Sequence, residues 1–370
     1  MGTNFRLPGP TPLPPPVLAA MRREMIPHRG PVFRTMFREV LRLAREIHRT
    51  DGDVLIWPGT GSAGWEAAIV NLLSPGDPVL AAVCGAFGDR FARVGVAFGL
   101  DVRRLDVPWG EAVTPSALAR SLIEHPDVKA VFLTHNETST GVTNPLPELA
   151  VTVRDHGAVI VVDAVSSAGA LPLETAGWGL DFVFSGSQKA WMCPPGLMIA
   201  AVGARAWEAH ARSRFPRFFW DLTAAKESAE QGMTPTTPPL TLLYAYHAAL
   251  QMIAAEGLDA VWRRHAALGK LTRDGVVAAG LRLFADPAVA SDTVTAFLPP
   301  EGVTAGALLE VLRRDHGVEA QGGQGHLADR LVRFGHMGWA HEPELRDALG
   351  ALDRAVAVLG RGRRASAETG

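Results

Sequence analysis

Residues 158–165 read AVIVVDAV and residues 181–189 read DFVFSGSQK. The first is an apolar run that ends on an acid, Asp163; the second ends among small residues and a lysine, Lys189. Short runs this rich in β-branched and aromatic side chains are buried strands, and such strands belong to parallel sheets covered by helices.

Outward from this pair the same rhythm recurs. DVLIWP (53–58), PVLAAVCG (78–85), DVRRLDVP (101–108), VKAVFLTH (128–135) and GLMIAAV (196–202) are further strands. Between them GTGSAGWEAAIVNLL (59–73) is a turn into a helix, and FGDRFARVGVAFG (87–99), TPSALARSLIEH (114–125) and LPELAVTVRDHG (146–157) are helices. Thr114 is placed to cap its helix, with Pro115 in the first turn. Strands alternating with helices predict an α/β fold with a mostly parallel sheet, in which ligands sit beyond the carboxyl ends of the strands.

Before this region, a proline-rich start leads into helices expected over 17–26 and 31–50. After it, 204–240 breaks the rhythm with RFPRFFWDL and TPTTPPL, and a long helix over 241–279 breaks at Gly257. The remainder alternates LRLF, TVTAFLP, a helix at 304–315, VEAQGG, LVRFGH and a helix at 342–359, a smaller α+β unit. The expected division is an N-terminal active-site segment (1–16), a large domain (17–255), a small C-terminal domain (256–360) and a mobile tail (361–370).

Composition narrows the function classes. At 47% hydrophobic and 20% charged, the 370 residues can bury a large core. A net charge of −2 argues against nucleic-acid binding through phosphates. Two cysteines, Cys84 and Cys193, make neither a disulfide framework nor a four-cysteine metal site, so a reducing cytoplasmic compartment is expected. The start MGTNFRLPGPTPLPPP lacks the apolar core of a secretory signal. Gly2 invites a myristoylation reading, but Arg6 stands where Ser or Thr is wanted. No uncharged apolar run is long enough to span a membrane. The twelve histidines show no metal-binding spacing.

Three motifs carry chemistry. Gly59-Thr60-Gly61-Ser62-Ala63-Gly64 sits between a strand and a helix, where backbone N–H groups and the helix dipole favour a phosphate. The spacing also matches a dinucleotide turn, but the next strand ends Val83-Cys84-Gly85-Ala86-Phe87, without the acid that would hold a ribose. A structural turn is the third reading. Asp163 closes an apolar strand, where an unpartnered carboxylate is costly; it either caps the following turn or faces a cationic ligand nitrogen. Lys189 stands at the end of another strand in Ser185-Gly186-Ser187-Gln188-Lys189, and it is one of only four lysines against 32 arginines. Burial there lowers its pKa and makes the amine nucleophilic; the alternative is a side chain that snorkels outward. Cup, acid and lysine together match what pyridoxal phosphate requires. Trp191 and Trp220 read as core aromatics, with lining of the site as a second reading.

The chain resembles the fold-type I, class V aminotransferases, in the alanine–glyoxylate and serine–glyoxylate branch. The resemblance runs through LPGPTPLP (7–14), GTGSAGWEAAIVNLLSPGD (59–77), HNETSTGV (135–142), VVDAVSSAGALP (161–172), FSGSQKAWMCPPGL (184–197), TPPLTLLYA (237–245), SDTVTAFLPPEGV (291–303) and VRFGHMG (332–338). It implies a Schiff base at Lys189, a pyridinium partner in Asp163 and phosphate contacts from Thr60, Gly61, Ser62 and Gln188. Phe87 would stack on the ring, where the family often has tryptophan; Val165 would line the cofactor site and Thr138 would lie near the ring hydroxyl. Thr237 would reach the phosphate of a neighbouring subunit, implying a homodimer; Met233 and Thr234 stand where relatives often carry an aromatic. Arg333 would pair with the substrate carboxylate and Gly9 would bring the N-terminal backbone close to the substrate. The implied reaction moves an amino group from serine or alanine to a small 2-oxo acid such as glyoxylate. The alternatives are a class V enzyme acting on another amine, such as an aminophosphonate transaminase or a lyase, a non-catalytic sensor of the cofactor, and an NAD-dependent dehydrogenase using the Gly59–Gly64 turn. A cysteine desulfurase would want a cysteine in the C-terminal half, and none follows Cys193.

Overall fold

The computed structural model describes residues 3–368, with backbone alone over 361–368. Gly2 lies outside the described residues. A seven-stranded sheet organises the chain, in the spatial order Asp53–Gly59, Gly196–Val202, Phe182–Gly186, Val159–Asp163, Ala130–Thr134, Pro78–Val83, Asp101–Asp106. The 196–202 strand runs antiparallel to both neighbours; the remaining pairings are parallel. The sheet is thus mixed and mostly parallel.

Successive strand residues point to opposite faces, and both faces are buried except at the Asp101–Asp106 edge strand, whose residues are exposed or half-buried. Val54, Ile56, Leu80, Val131, Leu133, Ile160 and Val162 pack with the helices Pro31–Ile47, Leu146–His156 and Leu240–Glu256. Leu55, Trp57, Val79, Phe132, Val161, Phe182 and Phe184 pack with Gly61–Leu72 and Ala86–Ala97 on the other side. The contact of the 61–72 helix with the sheet is close: a Cβ on Gly64 would lie 2.1 Å from Phe184 Cδ2. A third apolar cluster, including Leu268, Phe297, Leu312, Val332, Phe334 and Leu352, forms around the three-stranded sheet of Val294–Phe297, Val332–Gly335 and Gln321–Gly322. Asn4–Phe5 pairs in parallel with Val318–Glu319, tying the N-terminal segment to this later part of the chain.

Several expectations need correction. The segment 204–240 carries two helices, Ala204–His210 and Leu222–Glu230, the second capped by the Asp221 side chain accepting from Ala224 N. LRLF forms no strand, only an isolated bridge between Leu283 and Phe297. The first helix is Pro15–Ala20 instead of 17–26, because proline at its first turn starts it early. The last helix continues as Glu342–Glu368 through most of the expected tail. The break at Gly257 is present, with φ of +84° between Leu240–Glu256 and Leu258–Ala278. Among the described residues no helix is long and apolar enough to cross a membrane.

Candidate active site

A cavity of about 180 Å³ opens at the carboxyl ends of the parallel strands. Its lining includes Thr60, Gly61, Ser62, Phe87, Thr138, Asp163, Val165, Gln188 and Lys189, all singled out from sequence. Residues at the ends of separate strands therefore converge on one space.

Each is placed by its local structure. The 53–59 strand turns at Thr60, the N-cap residue of the 61–72 helix, whose start leaves unpaired N–H groups suited to an anion. Thr60 and Ser62, on either side of Gly61, both line the cavity. Asp163 ends its strand with Oδ1 accepting from Val165 N at 2.9 Å and Oδ2 accepting from Trp65 Nε1 at 3.0 Å. The local bond to Val165 realises the turn-capping reading, while Asp163 also faces the cavity. Burial pushes its pKa up to about 7, with Glu137 adding to the rise and Lys189 opposing it.

The Lys189 ammonium donates to Pro8 O. Burial and the Arg333 charge lower its pKa to about 8. Thr11 fixes the adjoining backbone, its N donating to Gln188 O at 3.1 Å and its hydroxyl to Lys189 O at 2.9 Å. Gly9, with φ of +114°, lies against the lysine: a Cβ there would stand 2.6 Å from Lys189 Cδ.

Gly9, Arg333 and Thr237 are not among the lining residues of this cavity. Gly9 touches Lys189 from outside. Arg333 is buried; its Nε donates to Gly322 O at 2.9 Å and Nη1 to Thr138 O at 3.1 Å. Burial lowers its pKa to about 10. Thr237 is exposed and away from the cavity of its own chain. Trp191 is wholly buried in the core, with Nε1 donating to Ser185 Oγ at 3.2 Å, and neither it nor Trp220 lines the cavity.

Trp65, Arg90, Thr134, Asn136 and Ser166 also line it, and sequence reasoning passed over them. Trp65 stands four residues after Gly61, one helical turn on, a spacing that signals a shared face. The Arg90 guanidinium lies 5.4 Å from the Phe87 ring centre and 5.9 Å from that of Trp65. Asn136, Thr138 and Ser166 form one network: Nδ2 of Asn136 and the Thr138 hydroxyl both donate to Ser166 Oγ, at 2.8 and 2.7 Å.

The set suits pyridoxal phosphate. A helix start flanked by Thr60 and Ser62 could receive a phosphate, a carboxyl could face a ring nitrogen, an amine could condense with an aldehyde, and Phe87 and Val165 offer apolar walls. Gln188 Oε1 and Thr134 Oγ1 are buried without partners among the described residues, as expected of groups awaiting a polar ligand.

In the cofactor-free protein Asp163 takes its proton near 7, against about 3.9 when unfolded. Between these values the folded chain holds a proton that the unfolded chain has released, so this group's contribution to stability falls as pH rises. Asp163→Asn, neutral throughout, is expected to flatten the pH dependence of Tm in that window. An unchanged slope on thermal unfolding would show that Asp163 ionises as an ordinary carboxyl.

Comparison with known proteins places this geometry. The family model "Aminotransferase class-V" matches residues 4–334. A protein named soluble hydrogenase, small subunit, from a Synechococcus species is 39% identical over 357 residues, 96% of this chain and 93% of that protein. The L-aspartate–glyoxylate aminotransferase of Paracoccus denitrificans is 35% identical over 360 residues, 96% of this chain and 91% of that enzyme. The crystal structure of an alanine–glyoxylate aminotransferase from Nostoc sp. superposes with a TM-score of 0.92 at 32% identity, covering 96% of each chain.

Proposed function

The chain belongs to the class-V aminotransferases, which depend on pyridoxal phosphate, and from that premise we propose that it moves an amino group from serine or alanine to a small 2-oxo acid such as glyoxylate. The observation that carries the reading is the meeting of the Lys189 amine and the Asp163 carboxyl, from the ends of neighbouring parallel strands, in one cavity with the Thr60–Ser62 helix start.

Bound there, pyridoxal phosphate supplies an aldehyde that condenses with amines and a ring that draws electrons from the substrate α-carbon. Asp163, held in place by Trp65, would keep a proton on the ring nitrogen. The first turn of the 61–72 helix, with the Thr60 and Ser62 hydroxyls and Gln188, would hold the phosphate. Phe87 and Val165 would wall the ring and Thr138 would hydrogen-bond near its hydroxyl. Lys189, with its pKa near 8, has a sizeable neutral fraction at physiological pH, so Nζ serves as base toward the α-proton and returns it as acid. Arg333 takes the substrate carboxylate, with Gly9 leaving room for the approach.

The exposed Thr237 fits a role toward a second copy, so we assign a homodimer with shared sites. The two buried free cysteines fit a reducing cytoplasmic compartment. The cluster around residues 268–355 fits a separate small domain beginning near residue 256.

A panel of amino donors, each mixed with the purified holoenzyme and read by the change in the cofactor's visible spectrum, tests the reading. Serine or alanine is expected to convert the spectrum and glyoxylate to restore it. A response to aspartate alone would move the substrate class toward that of the Paracoccus relative, and no response to any amino acid would defeat the proposal.

A further inference from the structure

Glu137 is a fully buried acid that is not among the cavity's lining residues. Its carboxylate gathers donors from two segments. From the start of the Ala86–Ala97 helix, Phe87 N and Gly88 N donate to Oε2 at 3.1 and 3.0 Å. From its own loop, Ser139 N donates to Oε1 at 3.1 Å, and the Ser139 hydroxyl donates to the same oxygen. That hydroxyl also accepts from Ala86 N at 2.9 Å.

The first turn of a helix normally finds such an acceptor in its own N-cap side chain. Here the N-cap residue is Gly85, which has none, and the acid comes from another loop. Glycine is required for this, since a Cβ at Gly85 would lie 2.3 Å from Glu137 Cγ. The carboxylate also benefits from the positive end of the helix dipole.

We propose that Glu137 is a positioning residue: its carboxylate locks the 86–88 turn to the 136–140 loop, and so sets where Phe87 and Thr138 stand in the cavity wall. This rests on the aminotransferase reading, in which those two residues meet the cofactor. The lock extends further, because the Thr138 carbonyl accepts from Arg333 Nη1. One buried carboxyl group therefore ties together Phe87, Thr138 and, through the Thr138 carbonyl, Arg333.

Glu137→Gln keeps the shape but presents an NH₂ group to backbone donors. In the cofactor-free protein, amide exchange at Phe87 and Gly88 is expected to accelerate at least about tenfold, while strand amides of the central sheet are unaffected. Affinity for pyridoxal phosphate, read by tryptophan quenching, is expected to weaken about 10–100-fold. At saturating cofactor the visible circular dichroism band should change in intensity, a readout that loss of stability alone would not move. Wild-type exchange, affinity and dichroism in Glu137→Gln would overturn the proposal, as would a lowered Tm with affinity and dichroism intact. Should this variant fail to fold, Ser139→Ala removes two of the lock's bonds and is expected to show the same changes, several-fold in size; wild-type values there would also overturn it. If the wild-type protein bound no pyridoxal phosphate, the proposed function would fall, and the exchange measurement would still judge Glu137.

Discussion

Lys189→Ala is expected to lower kcat by at least about 10⁴-fold and to remove the visible absorbance of covalently held cofactor. Two losses combine: the amine that holds the aldehyde, and the base that moves the α-proton. Little nearby can substitute. The other lysines are Lys129, Lys226 and Lys270, none of which lines the cavity. The lysine's neighbours on the N-terminal side, Pro8 and Gly9, offer only a carbonyl and a hydrogen. Borohydride treatment followed by intact-mass analysis checks the covalent part, with the cofactor's mass expected on wild-type protein and absent from the variant. Turnover near wild type with a normal spectrum would refute the assignment.

Arg333→Lys is expected to lower kcat/KM for amino and oxo acids by roughly 100-fold, mostly through KM, since a charge-assisted forked pair is replaced by a single point charge. Nε is engaged with Gly322 O, and Nη1 spends one of its hydrogens on Thr138 O. The remaining hydrogen of Nη1 and those of Nη2 make the fork that stays available. Lysine could not hold both backbone carbonyls and a carboxylate in that geometry. Steady-state kinetics with a good donor and with its amide analogue separate the roles: wild type should discriminate strongly against the amide, and the variant weakly. Equal discrimination by both proteins would place the carboxylate elsewhere.

Much of this architecture is legible in the sequence because the inner strands of the central sheet are buried on both faces. Runs such as AVIVVDAV and FVFSG have no polar residue until the strand ends, and the interruption itself marks the site. The reading fails where composition hides local order. FPRFFW suggests irregular chain, and yet Asp221 directly after it caps a helix through Ala224 N. LRLF looks like a strand, but it makes only one isolated bridge, Leu283 opposite Phe297. In the site, the residues read from sequence are those whose chemistry is conspicuous. Trp65, Asn136 and Ser166 were passed over because their use depends on what lies across the cavity, which no local pattern shows. Trp191 and Trp65 make the contrast: similar residues, one packed against Tyr246 and His48 in the core, the other bonded to Asp163.

The reversed strand has a consequence for how the molecule is made. Residues 53–59 have their only sheet partner in residues 196–202, with Gly59 opposite Gly196. On a ribosome adding about 5–20 residues per second, the early strand waits roughly 7–30 s for its partner to be synthesised. Until then the edge of the 182–186 strand that will receive the newcomer is bare as well, and a bare apolar edge invites pairing with other chains. The Thr60–Ser62 helix start, carried on the end of the waiting strand, therefore settles against the sheet only once residues 196–202 have been made.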